Sequence, residues 1–186
     1  VYMKKIFISI LFMSISTIYG QEESIKKIQL GISYSLTNQN EVYKNPFNGY
    51  VNYQLKKWDQ LDLNGGLRVF YFGSKESANF SNKWGVNPNI GISHYFKDDK
   101  FNTYLNLGYY FDTFEFKPTT TGSFTTPKRE LKTNGFTIAP GLKYIVQSNV
   151  YVDANLTLLI AKEKDNIGSW NSSNNTLFNI GIGVAF

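Results

Sequence analysis

The chain has 186 residues, a formal net charge of +5, 18% charged and 17% aromatic residues, and no cysteine. Disulfides and cysteine-linked lipid anchors are excluded, and past the N-terminus no apolar run reaches the roughly 20 residues of a spanning helix. Lysines and arginines lie scattered among acids without a basic stripe, so nucleic acid is not an expected partner.

The N-terminus has the layout of a secretory signal. Lys4-Lys5 precede an apolar core from Ile6 to Ile18, and the small Gly20 is followed by the polar Gln21-Glu22-Glu23. Residues 1–20 are therefore expected to be a signal peptide, and 21–186 a single domain.

From there on, large apolar residues recur at every second position, the period of a strand with two unlike faces. The first strand, Lys27 to Leu36, alternates Ile28, Leu30, Ile32, Tyr34 and Leu36 with Gln29, Gly31, Ser33 and Ser35. Pro46 to Lys56 sets Phe47, Val51, Tyr53 and Leu55 against Asn48, Tyr50, Asn52 and Gln54. In Gln60 to Phe72, Leu61, Leu63, Leu67, Val69 and Tyr71 oppose Asp62, Asn64, Gly66 and Arg68; in Lys83 to Phe96, Trp84, Val86, Ile90 and Ile92 oppose Asn87, Asn89, Gly91 and Ser93. Phe101 to Asp112, Gly135 to Val146 and Val150 to Ala161 continue the pattern, and Phe178 to Phe186 is the eighth strand. Pro88 and Pro140 fall inside strands, where a missing N–H predicts a bulge or a lost bond.

The connections alternate in length. Lys57-Trp58-Asp59, Lys97 to Lys100 and Gln147-Ser148-Asn149 are short turns; residues 37–45, 73–82, 113–134 and 162–175 are long and polar. The pattern predicts an all-β fold, an eight-stranded antiparallel up-and-down transmembrane β-barrel with its short turns at the periplasmic end. A soluble barrel around a ligand has the same strand count, but its outer face would carry many Lys and Glu. Here the polar face is mostly Gly, Asn, Ser and Thr, and the apolar face is banded. Tyr34, Phe47, Tyr71, Trp84, Tyr109, Phe111, Phe136 and Phe178 form one rim, and Phe96, Phe101, Tyr144 and Phe186 the other, with aliphatic residues between. Two aromatic girdles about an aliphatic belt are the depth profile of a bilayer.

On strand count, loop alternation and the ending Ile182-Gly183-Val184-Ala185-Phe186, the chain resembles the small eight-stranded outer-membrane barrels of Gram-negative bacteria, the OmpA/OmpX-type architecture. The resemblance implies the cell outer membrane as location, its lipid and the outer-membrane insertion machinery as partners, and Ile182, Val184 and Phe186 as the assembly signal that machinery reads. It implies no particular function.

Chemistry is sparse. His94 is the one histidine; it lies on the lipid-facing phase near a short turn. Lipid-modifying barrels of this architecture use a His-x-Ser pair, but His94 is followed by Tyr95 and Phe96. One histidine without cysteine supplies neither a hydrolase base with its partners nor a metal site. No catalytic residue, cofactor or metal is expected. Asp62, Arg68, Asp112, Lys143 and Asp153 fall on the inward phase and are expected to form a structural network of charges in a lumen too narrow for a pore. A three-residue turn at 147–149 places Lys143 opposite Asp153, a candidate cross-strand ion pair. The long loop 113–134 is the candidate for an extracellular ligand. The leading expectation is a non-enzymatic envelope or surface-binding barrel. The alternatives are passage of a small apolar solute or membership of an export or uptake complex, and, third, a lipid-modifying enzyme.

Overall fold

The structure is a computed structural model that describes residues 28–38, 43–75, 80–96, 100–118, 120–121, 124–125, 127–165 and 170–186. The signal peptide expected over 1–20 lies outside the described residues.

Eight long antiparallel strands close on themselves. They are β1 (Ile28–Thr37), β2 (Phe47–Trp58), β3 (Leu61–Phe72), β4 (Lys83–Tyr95), β5 (Phe101–Phe116), β8 (Arg129–Ile145), β9 (Val150–Asp165) and β11 (Asn175–Ala185). Three short pieces complete the set: β6 (Thr120–Thr121) pairs with β7 (Phe124–Thr125), and β10 (Trp170–Ser172) pairs with β9. Each long strand pairs with the next, and β1 pairs with β11, so the eight long strands close into a barrel. That closure is what lipid, which offers no hydrogen bonds, demands.

The register keeps each face uniform. The lipid-facing side chains include Ile32 (67% exposed), Phe47, Ile90, Leu107, Phe136 (68%) and Ile182. Girdle rings pair directly across strands: Tyr34 with Phe47 at 5.1 Å between centroids, Tyr71 with Trp84 at 4.8 Å, Tyr109 with Phe136 at 5.4 Å, and Phe101 with Tyr144 at 4.9 Å. Such cross-strand pairs are the unit of sheet stabilisation.

Both prolines lose pairing on one side and leave the register intact. On the β4–β5 side Val86 pairs with Phe111 and Asn89 with Gly108, with no pair between. On the β8–β9 side Ile138 pairs with Leu158 and Gly141 with Asn155, again with a gap. A bulge occurs elsewhere, at Leu55, where the β2–β3 register shifts. The β2–β3 turn is Asp59-Gln60, with Asp59 at φ 49°, a left-handed conformation that aspartate tolerates.

Three strands run past the outer girdle. β5 ends at Phe116, β8 starts at Arg129 and β9 ends at Asp165. The loop expected over 113–134 thus shrinks to 117–128, and that expected over 162–175 likewise loses its first residues to β9. Above the girdle the inward face is the apolar one, with Phe114, Leu131 and Leu177 buried. Outside the bilayer an apolar side chain is buried only by turning inward, so the face rule inverts at the girdle.

Candidate functional site: a filled lumen and a raised wall

The lumen is filled from rim to rim. Its middle is a belt of small polar side chains. Ser33 Oγ donates to Asn48 Oδ1 at 2.6 Å, Asn48 Nδ2 donates to Ser35 Oγ at 2.9 Å, and Asn179 Nδ2 donates to Asn155 Oδ1 at 2.7 Å. Arg68 Nη1 donates to the same Asn155 oxygen at 3.1 Å. Buried polar groups in a low-dielectric lumen must pair with one another, and a connected belt holds the strands it joins in one arrangement.

The five inward charges do not form one network. Arg68 and Asp153 approach to 3.8 Å, and Tyr104 donates its hydroxyl to Asp153 at 2.6 Å. Lys143 stands opposite Asp153 in register, yet its Nζ donates to Gln29 Oε1 and lies 4.9 Å from the Tyr104 ring centroid. The register expected for this pair is present and the direct ion pair is not. Asp112 forms a separate group at the mouth, and Asp62 is buried at the other end opposite Ser93.

Tyrosines take up much of the remaining space. Tyr50, Tyr104, Tyr110 and Tyr151 are all buried and inward. Each ring lies over a glycine of an adjacent strand: Tyr50 over Gly31, Tyr104 over Gly141, Tyr110 over Gly85 and Tyr151 over Gly183. A Cβ at Gly31 or Gly141 would overlap the tyrosine ring above it. The inward face is therefore not merely small and polar, as its Gly, Asn, Ser and Thr content suggested. The sequence signal was present in Tyr50 and Tyr151, which share the phase of Asn48 and Asp153.

The mouth is closed by aromatic packing. Tyr43, Phe70, Phe72, Tyr110 and Phe114 form a buried cluster with Leu131, Leu159 and Leu177. Lys83 enters it from the start of β4. Its Nζ lies 2.9 Å from Asp112 Oδ2 and about 5 Å from the centroids of the Tyr43, Phe72 and Phe114 rings. Ammonium over ring faces is attracted by their quadrupoles, and more so when desolvated. Tyr110 also donates to Asp112, at 2.6 Å. Lys83 was not singled out in the sequence, although it shares the inward phase of Gly85, which stands opposite Asp112. Burial and the Asp112 charge push the Tyr43 hydroxyl above the ordinary tyrosine range. Burial also raises the Glu163 carboxyl, against the opposing pull of Lys83.

The cavities at the two ends of the lumen are small: about 20 Å³ beneath Lys83, and about 70 Å³ at the short-turn end between Gln29, Asn102, Lys143 and Tyr151. Among the described residues no group of His, Asp and Glu could hold a metal ion. His94 faces outward and packs edge-on against Phe96 at 5.2 Å. Ile182 and Phe186 are exposed on the lipid side, Val184 is half-buried on that phase, and Phe186 exchanges backbone hydrogen bonds with Ile28 at 3.2 and 2.8 Å.

The outer membrane protein beta-barrel domain matches residues 6–186. The chain belongs to that family. It is a protein of the cell outer membrane. This outer-membrane barrel is similar in structure to Ail, the attachment invasion locus protein of Yersinia pestis, with a TM-score of 0.56 and 16% identity over 86% of this chain and 97% of Ail. Neisserial surface protein A is likewise similar, with a TM-score of 0.56 and 13% identity over 86% of this chain and 96% of that one. At these identities the likeness shows the fold. Comparison with curated proteins by sequence finds no match.

Proposed function

We propose that this outer-membrane barrel is a non-enzymatic surface protein that acts through its extracellular wall and loops and not through its interior. The observation that carries the reading is the filled lumen, stoppered at the mouth by Tyr43, Phe72, Phe114 and Lys83. A solute path would need that plug and the Arg68–Asn155 belt to open together. Sites built on loops over a rigid scaffold are the common arrangement for binding, and the β5–β8–β9 wall supplies such a scaffold. An outward His94 against Phe96 supports no acid–base chemistry. The segment 1–20 acts as the export signal, and Ile182, Val184 and Phe186 as the mark read during insertion.

The test is conductance and swelling. The purified barrel in planar bilayers is expected to give no steady current, and liposomes bearing it should not swell in small sugars or apolar solutes. Steady opening would favour the transport reading. Cells carrying the barrel with 117–128 replaced by a Gly-Ser linker should keep envelope integrity and lose surface binding. If they lose integrity and keep binding, the loops are not the working part.

A further inference from the structure

The cavity at the short-turn end of the lumen, about 70 Å³, has several times the roughly 10–15 Å³ that one water needs. Its lining joins the exposed turn residues Ser148 and Asn149 to the buried Asn102, Lys143 and Tyr151. It is therefore reached from the water beside that turn.

Two polar groups inside it have bonding capacity left over. Asn102 is 2% exposed, and neither its Oδ1 nor its Nδ2 has a hydrogen-bond partner. A buried carboxamide ordinarily has partners, because leaving one unmade is costly. Asn102 stands directly opposite Lys143 across β5 and β8. Lys143 is itself buried, and of the three donors on an ammonium it gives one to the neutral Gln29 Oε1. The Tyr104 and Tyr151 rings, 4.9 and 5.2 Å from Nζ, attract the charge without neutralising it. Lys143 is the one charged side chain that lines the cavity. Asp153 and Asp62 act on it from outside that lining, and Asp153 is taken by Arg68 and Tyr104.

The other wall is apolar, formed by Ile145, Val150 and Ala185. One cation, an unpaired amide beside it and an apolar wall describe a ligand with one negative charge and a short apolar body. Directly opposed residues have Cβ atoms about 4.5–5.5 Å apart, so the two oxygens of one carboxylate can meet donors on both. We infer that this cavity binds a small monocarboxylate, its oxygens on Lys143 Nζ and Asn102 Nδ2 and its apolar end on Ile145, Val150 and Ala185. The carboxylate belongs to a free short-chain acid or to the C-terminus of a peptide with a small last residue. The site adds a ligand at the end of the lumen away from the long loops and opens no path through the barrel.

The experiment titrates the full barrel in zwitterionic micelles with propionate and follows the Asn102 side-chain amide by NMR. A saturable shift is expected, with a dissociation constant on the order of 1 mM for so small a ligand. Asn102→Ala and Lys143→Met should each weaken binding about tenfold or more, as loss of a charge-assisted hydrogen bond does. In the variants the Gln29 side-chain amide carries the signal, and heat-modifiable gel migration verifies that each is folded. Lys100→Gln, exposed near the same end, should bind as the parent does. Propionamide, which has the shape without the charge, should not shift the parent spectrum, and this arm needs no variant. Acetyl-Ala-Ala with a free C-terminus binding more tightly than propionate assigns the group to a peptide end; the reverse order assigns it to a free acid. No saturable shift with propionate would overturn the inference, as would equal binding by propionamide or by Lys143→Met. Displacement by equimolar chloride would overturn it in favour of an unselective anion site.

Discussion

Lys143 and Asp153 face each other directly across β8 and β9, yet each bonds to a third residue. Gln29 takes the ammonium, and Tyr104 with Arg68 takes the carboxylate. A double-mutant cycle of Lys143→Met with Asp153→Asn should show coupling of about 0.5–1 kcal/mol, carried through Tyr104, which both groups touch. The cycle of Tyr104→Phe with Asp153→Asn should show about 1.5–3 kcal/mol, the range of a hydrogen bond to a charged group. Urea unfolding in bilayers measures both. Strong Lys143–Asp153 coupling would mean that the ammonium prefers the carboxylate to Gln29.

At the mouth, Lys83→Met leaves the fully buried Asp112 side chain without its cation. The expected loss is about 3 kcal/mol, because an unpaired buried charge is left behind. The Lys83→Met/Asp112→Asn double variant should recover part of it. A double variant less stable than Lys83→Met alone would show that Asp112 holds the mouth by its bond from Tyr110 and not through Lys83.

Leu105 and Leu156 lie mid-strand on the lipid face, 38% and 39% exposed. Arginine at either is predicted to cost about 2–4 kcal/mol in folding to the bilayer, as charge at the midplane of a barrel does. A cost near zero would place these residues outside the hydrocarbon.

Much of this was legible from period and phase. Alternation located all eight strands, because lipid outside and a polar lumen inside impose opposite chemistry on neighbouring residues. Pro88 and Pro140 were tolerable for a local reason: each loses one partner and the rungs beyond hold the register. The strand ends were not legible, because the rule that found the strands reverses where they leave the membrane. Thr113-Phe114-Glu115-Phe116 alternates as well as any other segment, but with its apolar side chains inward. The charge pairing was legible only as register. Which atoms meet depends on side-chain reach, and Gln29 and Tyr104 come from strands that a two-strand register argument does not include.

Phe186→Ser is predicted to lower the yield of assembled barrel severalfold while changing the stability of barrels already formed by less than about 1 kcal/mol. Phe186 is half exposed, and its backbone bonds to Ile28 do not need the ring. Pulse-chase assembly, set against unfolding of purified barrel, separates the two. Equal assembly of variant and parent would remove Phe186 from the insertion signal.

The tyrosines lying over glycines bear on how the barrel closes correctly. Backbone hydrogen bonds are indifferent to a slip of two residues, since every rung offers the same N–H and C=O and inward residues stay inward. Tyr50 is not indifferent. In register its ring covers Gly31; after a slip it would meet Gln29 or Ser33, whose side chains already occupy the lumen. Tyr104 on Gly141 and Tyr151 on Gly183 set the same condition at two further strand pairs. Glycine here serves as a socket. A growing sheet can test each new strand against it before the last seam, β11 to β1, is sealed.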